Sequence, residues 1–258
     1  MSGDAASPGG IRLDLGAADL RRELPLVRAE LVRLARAGEP VAASVRLIAQ
    51  REPVALVELL VGPRAVSEPA VVRAALGEVA VLEEAVAPKS LYRRLGELNP
   101  VTGPDVLTVA ISRHPDAPWL IGLAQKLEGA DFGRAPLRAM ADHPDFAARC
   151  LAYAEAGARA SLVGLTGELG RIEPLEALFA VDALAEAQQA ALAVLRAHPE
   201  QPVVAWLAAL YGPEVDRLVE RLIPALREAA AVRALHRQAA DLPRSSRKLA
   251  ALARALPA

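Results

Sequence analysis

The sequence predicts an all-α protein assembled from short antiparallel helical hairpins that stack as irregular repeats. Three observations carry this. Residues of the Ala, Leu and Val type supply most of the apolar content, while aromatic residues make up only 3% of the chain. Ala and Leu lose little side-chain entropy in a helix, whereas strands draw on β-branched and aromatic residues together. Apolar residues recur at spacings of three and four, the mark of one buried helical stripe. Prolines punctuate the whole chain, and one His-Pro-acid phrase returns three times.

Residues 1–17, MSGDAASPGGIRLDLGA, are small and polar and predict a loosely attached N-terminal arm. The first ten have neither the basic region nor the apolar core of a signal peptide. No uncharged apolar run approaches the ~18 residues that a membrane span needs, so the expected location is the cytoplasm. From Ala18 the helical pattern continues to the end, and residues 18–258 are expected to form a single domain. Val27, Leu31 and Leu34 make one apolar stripe, Leu162, Leu165 and Leu169 a second, and Val215, Leu218, Leu222 and Leu226 a third. Proline is tolerated in the first turn of a helix and breaks a helix interior. Its spacing cuts the chain into helices of roughly 9–16 residues, about 12–15 in number. No segment alternates with a period of two between turn residues, so no sheet is expected.

The repeated phrase is His114-Pro115-Asp116, His143-Pro144-Asp145 and His198-Pro199-Glu200. The residue before a proline is pushed out of the α region, so a helix must end at the histidine. Proline then opens the next helix at its first position, and the acid sits in the first turn, where the helix dipole favours an anion. Apolar helices are expected at Trp119 to Leu127, Phe146 to Ala156 and Val203 to Leu210. The histidines are 29 and 55 residues apart, and Ile172-Glu173-Pro174 stands in the intermediate place as a copy without histidine. A unit of about 28 residues implies stacked hairpins, because one hairpin alone cannot bury its apolar face.

The stretch His143-Pro144-Asp145-Phe146-Ala147-Ala148-Arg149-Cys150-Leu151-Ala152 resembles the start of a HEAT-like repeat, in which a Pro-acidic turn opens a helix with an Arg one turn in. Glu68-Pro69-Ala70-Val71-Val72-Arg73-Ala74-Ala75-Leu76-Gly77 is similar, and Leu242-Pro243-Arg244-Ser245-Ser246-Arg247-Lys248-Leu249 more loosely so. The Pro-to-Arg distance differs between copies, and the copy at Pro115 has no such Arg. The resemblance covers about residues 40–256 and implies a right-handed α-solenoid. HEAT-like scaffolds mostly bind proteins. The HEAT-like alkylpurine DNA glycosylases bind DNA and excise bases, but none of their motif residues can be placed in this chain.

No catalytic, cofactor or metal site is expected. There is no G-x-x-x-x-G-K-[ST] loop, no G-x-S-x-G elbow, no H-E-x-x-H and no dinucleotide fingerprint. The three histidines read as turn residues, because equivalent positions in stacked units lie too far apart to share a metal. Glu83-Glu84 and the pair Glu173 and Glu176 read as helix-surface acids. Gly157, Gly164, Gly167 and Gly170 read as close-packing or turn positions. Cys150, the only cysteine, reads as a small buried apolar residue.

The binding-surface candidates are the aromatics Trp119, Tyr153, Trp206 and Tyr211, since such residues dominate binding hot spots. Each also reads as core. The net charge is -1, so a nucleic-acid role would need a local basic patch. Residues 227–258 provide one, with Arg227, Arg233, Arg237, Arg244, Arg247, Lys248 and Arg254 against Glu228 and Asp241. It reads first as the solvated face of a capping repeat. The expected function is a non-enzymatic scaffold or adaptor that binds a protein partner on a concave face. The alternatives are a nucleic-acid-binding HEAT-like protein of the base-excision type, and an obligate homodimer.

Overall fold

The computed structural model describes residues 20–211 together with residues 233, 234, 237 and 238. The N-terminal arm, the stripe at Val215 to Leu226 and the repeat copy at Leu242 lie outside the described residues. Every regular element among those described is helical. In order, α1 spans Leu20–Arg36, α2 Ala42–Arg51, α3 Pro53–Val61, α4 Pro69–Leu76, α5 Val79–Ala85, α6 Pro88–Leu98 and α7 Gly103–Arg113. They are followed by α8 at Trp119–Glu128, α9 at Arg134–Ala139, α10 at Phe146–Glu155, α11 at Arg159–Leu169, α12 at Glu173–Ala180, α13 at Leu184–Ala197 and α14 at Val203–Tyr211.

Proline sets most of the boundaries. Helices α3, α4, α6, α7 and α12 carry Pro in the first turn, and none of their N-cap side chains accepts from the first N–H groups of its helix. The ring's fixed φ starts the helix and its missing N–H is one that would be unpaired there anyway. Pro53 divides α2 from α3, because Glu52 must leave the helical region at φ -145°, ψ 71°. Pro25 departs from the expected rule and lies inside α1. It sits early in the helix, where its ring forfeits the bond to the Arg21 carbonyl and the rest of the ladder continues beyond it.

The three His-Pro-acid connectors share one backbone design. His114 and His198 end their helices at φ -135°, ψ 53° and φ -134°, ψ 67°. The carbonyl of each histidine accepts from the N–H three residues on, at 3.0 Å in all three copies. The apolar helices that follow begin at Trp119, Phe146 and Val203, so Pro and the acid form the turn itself and not, as expected, the first helical turn.

Where the sequence reading drew one domain over 18–258, packing divides the chain into two compact units that meet in sequence at Leu127 and Glu128. In the first, α1, α4 and α7 pack in series while α3 packs on α5 and α6. In the second, α9, α11 and α13 form one row, and α10 packs on α12. The stripe Val27, Leu31 and Leu34 is fully buried, with Ile48, Leu56, Leu60, Leu82 and Leu95. Leu162 and Leu165 are buried with Leu137, Phe146, Leu178 and Leu195, whereas Leu169 is half-buried.

Side-chain bonds between distant residues recur at separations close to 30 residues. Arg36 to Glu68, Arg46 to Glu78, Arg73 to Asp105, and Asn99 to the Ser67 carbonyl each span 32 residues. In the second unit Arg138 to Glu168, Arg171 to the Ala141 carbonyl, and His198 to the Glu168 carbonyl each span 30. Each joins segments that are not adjacent in the chain.

Two of the glycines expected at close contacts are such. A Cβ on Gly167 of α11 would sit 2.7 Å from the Ala193 Cβ of α13, and one on Gly170 would lie 2.9 Å from the His198 ring. Gly164 has open space instead. Gly167→Val is therefore expected to lower unfolding stability by about 1–3 kcal/mol through overpacking. Gly164→Ala, in the same helix, is expected to raise it by up to ~1 kcal/mol through helix propensity. Urea unfolding followed by circular dichroism checks both, and equal effects would remove the assigned difference in packing.

Candidate functional site

The densest polar and aromatic constellation lies in the first unit, around Glu83 on α5. Its carboxylate is nearly covered, with the side chain 10% exposed. Tyr92 of α6, fully buried, donates its hydroxyl to Glu83 Oε1 at 2.7 Å. Arg113, the last residue of α7, donates Nε and Nη2 to Oε2 at 2.9 and 2.6 Å. His114 places Nε2 2.6 Å from Oε1. A carboxylate only accepts, so Nε2 of His114 must carry the proton. Trp119, in the first turn of α8, stacks on Tyr92 with centroids 5.8 Å apart and planes 17° apart, and leans on His114 at 5.7 Å.

Burial pushes the Glu83 carboxyl up, but the hydrogen bonds from Arg113, His114 and Tyr92 outweigh it and hold the group down to about 2. Burial also pushes the Tyr92 phenol up, helped by its bond to Glu83. The chemistry is that of a clamp. A carboxylate so easily ionised, with four donors on its two oxygens, is a poor general base near neutral pH. It fixes the first His-Pro-Asp connector against α5 and α6.

The other candidates fall elsewhere. Trp119 is half-buried, with one face of its indole taken by Tyr92. Tyr153 lies in the interior, where the core reading of it puts it. It is 2% exposed, its ring lies 6.3 Å from Phe132, and a Cβ on Gly133 would come within 2.5 Å of it. Its hydroxyl has no hydrogen-bond partner among the described residues. Trp206 on α14 is half-buried. The side chain of Tyr211, and all of Arg244, Arg247 and Lys248, lie outside the described residues.

Arg233 and Arg237 are exposed, while Ala234 is buried and Gln238 half-buried. Gln238 Oε1 accepts from the Val204 N–H at 3.0 Å, and its amide donates to the Gln201 carbonyl at 2.7 Å. Gln238 thus serves the N-terminus of α14, where the first backbone N–H groups lack helical partners.

Of the acidic pairs, Glu84 is exposed. Glu173 pairs with Arg171, whose guanidinium lies 4.6 Å over the Phe146 ring. Cys150 is fully buried, and burial together with the Glu173 charge pushes its thiol up to about 12. A thiol so protonated is inert.

Sequence reasoning missed Glu83, Tyr92 and Arg113 as partners. The available signal was local: only the first connector has Arg directly before its histidine, where the others have Asp142 and Ala197.

Glu83→Gln keeps the shape and removes the charge, and is expected to cost about 2 kcal/mol. A carboxyl held low in the folded state stabilises fully above its ordinary value of 4.5 and loses that contribution as pH falls through about 2. The variant should lack this part of the acid sensitivity in urea midpoints taken across that range. Matching pH profiles would show that the clamp does not contribute. For the unpaired phenol, Tyr153→Phe is expected to leave stability unchanged or to raise it by up to ~1 kcal/mol, since no hydrogen bond is lost. A clear loss in thermal unfolding would mean that the hydroxyl has a bonded partner in solution.

Comparison with family models, curated proteins and solved structures gives no match to this chain.

Proposed function

We propose that the hairpins of each unit are stretches of a HEAT-like right-handed α-solenoid. In this reading the protein is a non-enzymatic cytoplasmic scaffold or adaptor that binds a protein partner on the concave face. One observation supports this most: polar bonds between successive hairpins recur at separations of 30 to 32 residues in both units. Hairpins stacked at a fixed interval line up equivalent helices and so offer an extended surface, the usual working part of such proteins. The step from architecture to role is by analogy.

The charges favour a protein partner over nucleic acid. Arg36, Arg46, Arg73, Arg113 and Arg138 are each paired with a carboxylate of a neighbouring hairpin. A phosphate-binding face would need its cations uncommitted. The nucleic-acid reading keeps one specific support, the exposed Arg233 and Arg237 one helical turn apart.

The test couples affinity capture by the full chain to reconstitution. The expected result is a protein that re-forms a defined complex with the purified chain, with no DNA binding at low salt. Two results would overturn the reading. One is micromolar DNA binding that falls steeply with salt and is lost in R233E/R237E. The other is a stable particle of twice the chain mass in light scattering, with no captured protein that reconstitutes.

A further inference from the structure

We infer that the groove between α1 and α3 anchors an acidic, aliphatic peptide segment of the protein partner. The inference rests on the scaffold reading and names the chemistry that the partner must bring. The groove has a volume of about 310 Å³. Its apolar walls are Leu24 and Pro25 from α1, Leu59 from α3, and Pro63 from the turn after α3. Two prolines make these walls stiff, so little conformational entropy is lost when a ligand orders them. Leu26, next in sequence to Pro25, is 70% exposed.

Two cations and one anion, Arg28, Arg64 and Glu58, complete the lining. Arg28 Nη1 donates to the Arg64 carbonyl at 3.2 Å. That bond holds the guanidinium in place and uses one of its five N–H donors. Neither Arg28 nor Arg64 forms an ion pair among the described residues, in contrast to Arg36 at the end of α1 and Arg46 on α2. A guanidinium so placed is ready for bidentate contact with a carboxylate. The aliphatic walls then take a neighbouring Leu, Ile, Val or Met side chain. A nucleic-acid backbone fits less well, because successive phosphates would meet Glu58 and the apolar walls. The partner segment is therefore a peptide with one acidic residue beside aliphatic ones.

The test is selection of a random-peptide display library on the full chain, followed by fluorescence polarisation of the selected peptides. The expected consensus has Asp or Glu next to aliphatic residues. The expected loss is about tenfold or more in affinity, equivalent to ~1.4 kcal/mol, for R28E/R64E and for peptides with Asn or Gln in place of the acid. Both arginines are partly or fully exposed, and circular dichroism of R28E/R64E confirms that the fold is kept. No selected peptide, a consensus without acid, or unchanged affinity in R28E/R64E overturns the inference, as does tighter binding of a DNA oligonucleotide lost in the same variant. A partner that reconstitutes equally well with R28E/R64E also overturns it, while leaving the scaffold reading intact.

Discussion

A helix of nine or ten residues is not stable alone in water, because nucleation costs more than so few backbone bonds return. Most of the described helices are that short: α2, α3, α4, α5, α8, α9, α10, α12 and α14 all have ten residues or fewer. Each therefore exists because its apolar face is covered by a neighbour. The series packing of α1, α4 and α7, and of α9, α11 and α13, follows from that requirement. Dense small residues allow it. Gly167 lets α11 and α13 approach to backbone contact, and Ala187, Ala190 and Ala191 of α13 are fully buried without bulk.

Given a core that does the stabilising, the polar bonds between hairpins have a different part. Exposed ion pairs contribute about 0–1 kcal/mol each, so Arg46 with Glu78 or Arg73 with Asp105 adds little to stability. What such pairs can do is fix register. Similar apolar helix faces tolerate sliding past one another, and a matched charge pair opposes it. Glu83 carries this furthest. Its four donors come from Tyr92, Arg113 and His114, so α5, α6, the end of α7 and the following connector are tied at one carboxylate. Removing a carboxylate from water is costly unless all its lone pairs are met, which explains why the site gathers so many donors.

The sequence made the helical class, the Pro-determined starts and the three connectors legible, because these depend on residues adjacent in the chain. Phe146 begins α10, and Val203 begins α14, at the apolar residues that follow the His-Pro-acid phrase. The surroundings of the connectors were not legible. His114, His143 and His198 share a backbone, yet their rings meet different groups: the Glu83 carboxylate, the Asp145 N–H and the Glu168 carbonyl. A side chain's partner one unit away depends on helix rotation, which periodicity leaves loose by a residue or two. Tyr153 shows the same limit. Nothing beside it in sequence tells that Gly133 opens the space its ring fills.

The contrast between Glu83 and the α1–α3 groove bears on where recognition resides. At Glu83 the aromatic and charged groups that make good hot spots are already consumed: Tyr92 and His114 face the carboxylate, and Trp119 covers Tyr92. Their interaction energy is realised in the free protein and is not available to a ligand. In the groove the reverse holds. Among the described residues Arg28 and Arg64 have no carboxylate in an ion pair, and the apolar walls of Leu24, Pro25, Leu59 and Pro63 border an open space. Binding free energy comes from groups whose interactions are incomplete before the partner arrives. On that ground the less elaborate of the two places is the better anchor for a partner, and the richer one is a device for holding hairpins in register.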